Sequence, residues 1–456
     1  MPTSLHPEVD TAEAVGRSAM RKVRLRIVPL IGLGYCAAYI DRVNISFAAL
    51  GMNRDLHLSA TVYGFGAGLF FLSYAASEIP SNLALHRFGA RVWLSRIMIT
   101  WGLLAMGMML VRTPHQFYLA RFLLGMAEAG FFPGVVYYFM RWFPPELRAS
   151  AFSQFYIALP LSSVFMGAAA GALLGLEGRA GLHGWQWLFL VEGLPPILLG
   201  IVFLFFLPSS PADAKWLTTA EKQWIHQRTT EDAASVTHSH GAIAAALRNR
   251  RIWQLGFFNL MCLGCSYAYT FSAPSVLQAA TGFSSARIGY IVAALSLLGA
   301  GAMLLGARFS DSRQRAARAL GTQADRYAHI LPWCGLLAGG FLVYGLGHTP
   351  VSAILGLGIV ILGFNGMQGP AWALPASFLR DPTGRRAAVG VAVINMIAMF
   401  GGFLGPYWIG FMRDLTGSYG RGIAAMALPA LGCAAIIATM RKAARRDQPE
   451  APKFVQ

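Results

Sequence analysis

The chain has 456 residues, of which 55% are hydrophobic and 12% charged, and its formal net charge is +17. Soluble domains average about 25% charged residues, so this composition excludes an ordinary water-soluble fold. A basic excess of this size suits either nucleic acid or a membrane surface, and its placement along the chain decides between them.

Apolar runs long enough to cross a bilayer recur roughly every thirty residues, near 25–50, 61–83, 91–111, 114–139, 149–174, 185–207, 252–280, 286–309, 326–347, 350–379, 385–411 and 420–441. A hydrocarbon core about 30 Å thick needs about 20 helical residues. Only closed hydrogen bonding survives there, so each run reads as a helix. The expected fold class is an all-α membrane protein with twelve transmembrane helices in two six-helix bundles. Sorted by these runs, 29 of the 37 Lys and Arg fall on one side of the membrane, 6 on the other and 2 inside helices. Positive residues stay in the cytoplasm, which puts both termini there and leaves no call for nucleic acid.

Residues 1–24 read as a cytoplasmic segment, polar at its start with Glu8, Asp10 and Glu13, and no cleaved signal peptide is expected. The first bundle is expected over 25–207. Helix one carries Tyr39, Asp41, Arg42 and Asn44 deep in its apolar run, and helix two carries Tyr74 and Glu78 before the basic loop of His86, Arg87 and Arg91. Helix four carries Arg121 and Glu128, seven residues apart and so near one face, about 10 Å along the axis. Helix five holds Gln154, Tyr156 and a stripe of Gly167, Gly171 and Gly175 that would admit close helix contact. Glu192 lies nearer a helix end, where a structural or capping role is expected for it, as for Glu78. Pro133, Pro160, Pro274 and Pro370 interrupt helices at membrane depth, where freed carbonyls need other partners.

The longest polar interval, 208–251, reads as a cytoplasmic central loop, with a surface helix possible over Ala220 to Thr230. The second bundle is expected over 252–441 and a cytoplasmic tail over 442–456. Weak internal similarity supports duplication: Pro144 stands four residues before Arg148 and Pro382 four before Arg386, at the entries to helices five and eleven. Repeats of six helices around a central site are the architecture of many secondary transporters. Cys36, Cys262, Cys265, Cys334 and Cys433 all fall within helices and read as buried small hydrophobes; Cys262 and Cys265 form a CxxC by spacing alone. No metal site or cofactor is expected.

Charges in mid-helix are costly, which makes Asp41, Arg42, Arg121 and Glu128 the main functional clue. Two acids and two bases form a neutral set, as a tolerated buried cluster must. One reading is a static ion-pair network joining helices one and four. The other is proton and substrate handling: burial disfavours an ionised carboxylate and a neighbouring guanidinium favours it, so moving an Arg toward a bound anion promotes protonation. The Arg fork matches a carboxylate. Tyr74, Gln154, Tyr156, Tyr267, Tyr269, Ser272, Asn365, Gln368 and Asn395 are candidates to line the same cavity, stacking on a ring or shaping the space around a sugar acid.

Tyr39-Ile40-Asp41-Arg42-Val43-Asn44-Ile45, Pro80-Ser81-Asn82 with Arg87-Phe88-Gly89-Ala90-Arg91, Arg121-Phe122 with Gly125 and Glu128, Trp142-Phe143-Pro144 with Arg148, and Asn395 with Gly401-Gly402-Phe403-Leu404-Gly405-Pro406 resemble the anion:cation symporter family of the major facilitator superfamily, whose bacterial members include tartrate, phthalate, hexonate and hydroxyphenylacetate permeases. The resemblance covers nearly the whole chain. It implies the major facilitator fold, Asp41 and Glu128 as proton-titrating acids, Arg42 as ligand of the substrate carboxylate, Arg121 as their charge partner, and Tyr39, Tyr74, Gln154 and Asn395 as cavity residues. It also implies a gating loop with Arg87 and Arg91, where His86 replaces the usual Asp, and a cytoplasmic latch of Asp311 with Arg313. The expected protein is a monomeric, proton-coupled importer of a small organic carboxylate in the bacterial cytoplasmic membrane, with protons, the anion and lipid as its partners. An exporter and a non-transporting sensor on the same scaffold are the competing readings. No Gly-rich phosphate cradle and no Ser/His/Asp set points to an enzyme.

Overall fold

The computed structural model describes residues 7–156, 158–233, 248–319, 325–372, 374 and 385–446, and these residues form helices and short connections without a strand. The helices are α1 (Pro7–Arg26), α2 (Val28–Asp55), α3 (Ala60–Phe88), α4 (Ala90–Gly107), α5 (Pro114–Glu128), α6 (Phe131–Trp142), α7 (Pro145–Tyr156), α8 (Ala158–Leu174), α9 (Gly184–Phe206) and α10 (Thr219–Ala233). They continue with α11 (Arg250–Thr281), α12 (Ser285–Ala319), α13 (Arg326–Leu346), α14 (Pro350–Trp372), α15 (Arg385–Thr416), α16 (Tyr419–Ala425) and α17 (Ala427–Arg446). Over its described residues, every apolar run of the sequence coincides with one of these helices or with a consecutive pair; the end of the run 350–379 lies outside the described residues. Among the described residues, nine helical stretches are long and apolar enough to cross a bilayer.

The run 114–139, expected as one helix, is two. α5 stops after Glu128 because Ala129 is extended (φ −54°, ψ 133°) and Gly130 takes a left-handed conformation at φ 87°. The Ala129 carbonyl that this break frees accepts a hydrogen bond from Ser81 Oγ at 2.6 Å, and Ser81 Oγ in turn accepts one from Trp93 Nε1 at 3.0 Å. A Cβ at Gly130 would stand 2.2 Å from Ser81 Oγ, so both the φ and the space require glycine. Pro133 does not make the interruption. It sits in the first turn of α6, where its missing N–H is no loss.

The chain divides into two compact units. One comprises residues 1–44, 73–166 and 176–238, the other 45–72, 167–175 and 239–456. In the first, Trp101, Phe131, Phe139, Trp142 and Trp185 are fully buried, and Trp101 meets Phe131 edge-on at 6.0 Å. α4 and α9 pack there through small residues: a Cβ at Gly193 would lie 2.8 Å from the Gly102 carbonyl, and one at Gly200 would lie 3.0 Å from that of Ser95. In the second unit, α11, α13, α14, α15 and α17 enclose a cluster that includes Phe258, Leu337, Phe341, Leu357 and Ile437. α15 lies so close to α11 that a Cβ at Gly401 would come within 2.0 Å of the Leu260 carbonyl. Gly167 and Gly171 meet Gly289 and Ala286 of α12 in the same manner. All five cysteines are free, and Cys262 Sγ rests 3.5 Å from Cys433 Sγ in apolar packing.

Candidate functional site

Successive residues of a helix point about 100° apart, so neighbours in sequence face different partners. Asp41 and Arg42 on α2 show the consequence. Arg42 turns toward α3 and α5: its Nε donates to Glu128 Oε1 at 2.9 Å, Nη2 donates to the same oxygen, and the guanidinium lies 5.3 Å from the centre of the Tyr74 ring. Asp41 lies beside Trp101 of α4 and within electrostatic reach of Glu128 and Arg121 on α5 and of Glu192 on α9. Asn44, three residues on and on the same face as Asp41, donates Nδ2 to Asp41 Oδ1 at 3.4 Å.

This cluster is withdrawn from solvent. Relative exposure is 0% for Glu128, 1% for Arg121 and 2% for Asp41, whereas the Arg42 side chain keeps 16%. Coulomb attraction in such surroundings is strong, but so is the cost of stripping water from each ion. The two opposing terms are balanced only if every charge has a counter-charge. Glu128 has both Arg42 and Arg121 within electrostatic reach, and Arg121 also acts on Asp41. Several acceptor atoms remain unused: Asp41 Oδ2, Asn44 Oδ1, Glu128 Oε2 and both carboxyl oxygens of Glu192 accept no hydrogen bond among the described residues. Glu78 sits within electrostatic reach of Arg42 and adds a further acid on the α3 side.

Asp41, Arg42, Asn44, Tyr74, Arg121 and Glu128 are therefore brought together in the first unit. Tyr39 lies half-buried on the same stretch of α2. Gln154 is not among them: it is exposed on α7 and lines a separate, arginine-rich cavity. Tyr267, Tyr269, Asn365 and Asn395 belong to the second unit. There Tyr267 packs on Phe71 at a ring separation of 4.3 Å, and Tyr269 meets Phe364 edge-on at 6.1 Å. Asn365 donates to the Ile361 carbonyl of its own helix at 2.9 Å, and Asn395 is half-buried on α15.

Of the loop residues, Arg91 donates Nε to the Leu204 carbonyl at 2.6 Å and so ties the start of α4 to the end of α9. Arg87 lies over Phe88 and Arg313 over Phe309, both exposed. The side chains of Asp311 and Tyr156 lie outside the described residues. Two features go beyond the sequence reading. Glu192, expected there in a structural or capping role, lies within reach of Asp41 and Asn44, and the Ser81 hydroxyl stabilises the break after Glu128. The Pro80-Ser81-Asn82 triplet and the Ala129-Gly130 pair were the available signals.

Residues 31–406 match the sequence profile described as Major Facilitator Superfamily. The chain is 41% identical over 405 residues to a putative tartrate transporter of Agrobacterium vitis, covering 89% of this chain and 90% of that one. It is 36% identical over 408 residues to a quinolone resistance transporter of Acinetobacter baumannii, covering 89% and 91% of the two chains. In fold it is similar to a crystal structure of a bacterial homologue of the human lysosomal transporter Spinster, with a TM-score of 0.78 and 18% identity over 94% of this chain and 99% of that one.

Proposed function

Since the chain belongs to the Major Facilitator Superfamily and is a multi-pass membrane transporter rather than an enzyme, we propose that it imports a small organic carboxylate together with protons across a bacterial cytoplasmic membrane. In this reading it is a member of the anion:cation symporter branch with both termini in the cytoplasm. The observation that carries the reading is the Arg42 to Glu128 pair, in which two donors of one guanidinium hold a single oxygen of a fully buried carboxylate.

An entering carboxylate offers that guanidinium an equivalent partner. When Arg42 turns to the substrate, Glu128 loses its nearest counter-charge inside a medium where an unpaired carboxylate is costly, and uptake of a proton removes the charge. Asp41, beside Arg121, is the second titrating acid. Counted together with the bound substrate, the charges of Asp41, Arg42, Arg121 and Glu128 then sum to zero in both states, with a monoanionic substrate and one proton entering as a pair. A monoanion moving alone into a negative interior opposes about 2.3 kcal/mol per 100 mV, and one accompanying proton cancels that term. Alternating access of the two halves of the fold carries the neutralised cluster from one side to the other. The tartrate-transporter relative at 41% identity supports a carboxylate as the cargo class.

The test is uptake of a panel of carboxylates, tartrate first, into proteoliposomes under an imposed inward proton gradient, with Asp41→Asn and Glu128→Gln variants. Accumulation driven by the gradient in the wild type and lost in both variants is the expected result. Undiminished accumulation in both variants rejects proton coupling through these acids. Export is the second reading, favoured by the quinolone resistance relative at 36% identity. It requires the same gradient to expel preloaded substrate, and the direction of flux separates the two.

A further inference from the structure

Apart from the Arg42 cluster, the first unit contains a cavity of about 770 Å³ where α1, α7 and α10 meet. Ligand pockets run from about 300 to 1,000 Å³, so the space is of small-molecule size. Arg17, Arg21, Arg24 and Arg228 line it, against one described acid, Glu13. Glu13 is already 3.2 Å from Arg17. Arg24 Nε is buried and finds no hydrogen-bond acceptor there. An anion in the cavity would meet the guanidinium groups that line it, that of Arg24 among them, as forked donors.

The other walls are apolar: Met20, Leu25, Leu147 and Trp224. Arg228 lies over the Trp224 ring at 5.2 Å, which holds its charge at the rim. The frame is firmly joined. Lys22 Nζ donates to both oxygens of Glu221, at 2.8 and 2.9 Å, and Ser18 Oγ donates to one of them at 2.7 Å, locking α1 to α10. Gly16 lets the indole of Trp224 approach so closely that a Cβ there would stand 2.4 Å from the ring.

We propose that this cavity is a second anion site, separate from Arg42 and Glu128, that binds a small oxyanion with an apolar body through Arg21, Arg24 and Arg228. Its chemistry, three forked donors above a ring and aliphatic wall, suits a carboxylate or phosphate carried on carbon. Two sources supply that group: a free organic acid and the headgroup of an anionic phospholipid.

Intrinsic fluorescence of the purified full-length protein in neutral detergent distinguishes them, because Trp224 is part of the wall. Tartrate is titrated in one arm and dioctanoyl phosphatidylglycerol in the other, on wild type and on Trp224→Phe. The expected result is a saturable change that requires Trp224, and the arm that produces it identifies the source. Arg21→Gln with Arg24→Gln should weaken it at least tenfold, while Arg42→Lys, which keeps the counter-charge of Glu128, should leave it in place. Raising the salt from 50 to 500 mM on the unmodified protein should weaken it as well, a control that needs no variant to fold. No saturable Trp224-dependent signal with either anion, or one that neither salt nor loss of the arginines alters, overturns the proposal. A signal abolished by Arg42→Lys also overturns it, since the change then originates at the other cluster.

Discussion

Arg42→Lys keeps the charge of residue 42 and removes its fork. In the wild type, two guanidinium nitrogens address one Glu128 oxygen while the guanidinium carbon lies 5.3 Å from the Tyr74 ring centre. An ammonium group still neutralises Glu128, so the fold should survive. What it cannot reproduce is the paired donation to a substrate carboxylate. One charge-assisted hydrogen bond contributes about 1.5–3 kcal/mol, and every 1.4 kcal/mol is tenfold in affinity. The KM for tartrate uptake should therefore rise about 10- to 100-fold, with a smaller effect on kcat and little change in Tm. Arg17→Lys is the control: that side chain is 71% exposed in an i,i+4 pair with Glu13, a contact worth a few tenths of a kcal/mol. Proteoliposome uptake over a range of tartrate concentrations, with thermal unfolding in parallel, measures all three quantities. If Arg42→Lys transports with a KM within twofold of wild type, the guanidinium is not the substrate's ligand and the exchange of partners is wrong.

Three further outcomes follow from the geometry. Burial by itself would push the Glu221 carboxyl up, but Lys22, Ser18 and the Thr218 amide hold it down at about 2. A carboxylate lowered in the folded state stabilises above its ordinary value near 4.5 and loses that contribution as pH falls from there toward 2. Because Lys22 is 35% exposed, the clamp is worth about 1–3 kcal/mol after screening. Hydrogen exchange in α1 should then quicken in Glu221→Gln at pH 7 and in the wild type only below about pH 4.5; equal protection in the variant at neutral pH would contradict the clamp. Gly130→Ala should lower stability by more than about 1 kcal/mol, from a positive φ and the collision with Ser81 Oγ, and Ser81→Ala by about 1–3 kcal/mol through the orphaned Ala129 carbonyl. Thermal unfolding of both variants checks this, and an unchanged Tm would mean the break after Glu128 is not held as described. Glu192→Gln should melt near the wild type, because neither Glu192 oxygen has a donor whose loss the amide would expose, while Glu192→Ala opens a cavity beside Asp41 and Asn44 of α2 and should melt lower.

The helices were legible in the sequence because bilayer thickness dictates the length of an apolar run, a constraint independent of tertiary detail. Where one run ends in two helices, legibility failed. Pro133 is the residue that sequence reasoning charges with an interruption, yet it begins α6 in the turn where proline is harmless, and the chain breaks three residues earlier at Gly130. A glycine inside an apolar run is compatible with an unbroken helix, and only the Ser81 hydroxyl, from a helix some fifty residues away, tips the balance by taking the freed carbonyl.

The charged cluster divides in the same way. That Asp41, Arg42, Arg121 and Glu128 belong together follows from neutrality, a condition on composition that a sequence can satisfy visibly. Which acid each base meets is a question of direction, set by rotation about α2 and by what α5 presents opposite. Arg42 passes over its neighbour Asp41, about 100° away around the helix, and reaches Glu128, eighty-six residues on. Gln154 illustrates the converse. Its polarity marked it as lining a cavity, and it does line one, but polarity carries no address, and the cavity it lines is the arginine-rich one beside α1. Helical periodicity thus assigns a residue to a face, and the identity of what lies across from that face has to come from the packed structure.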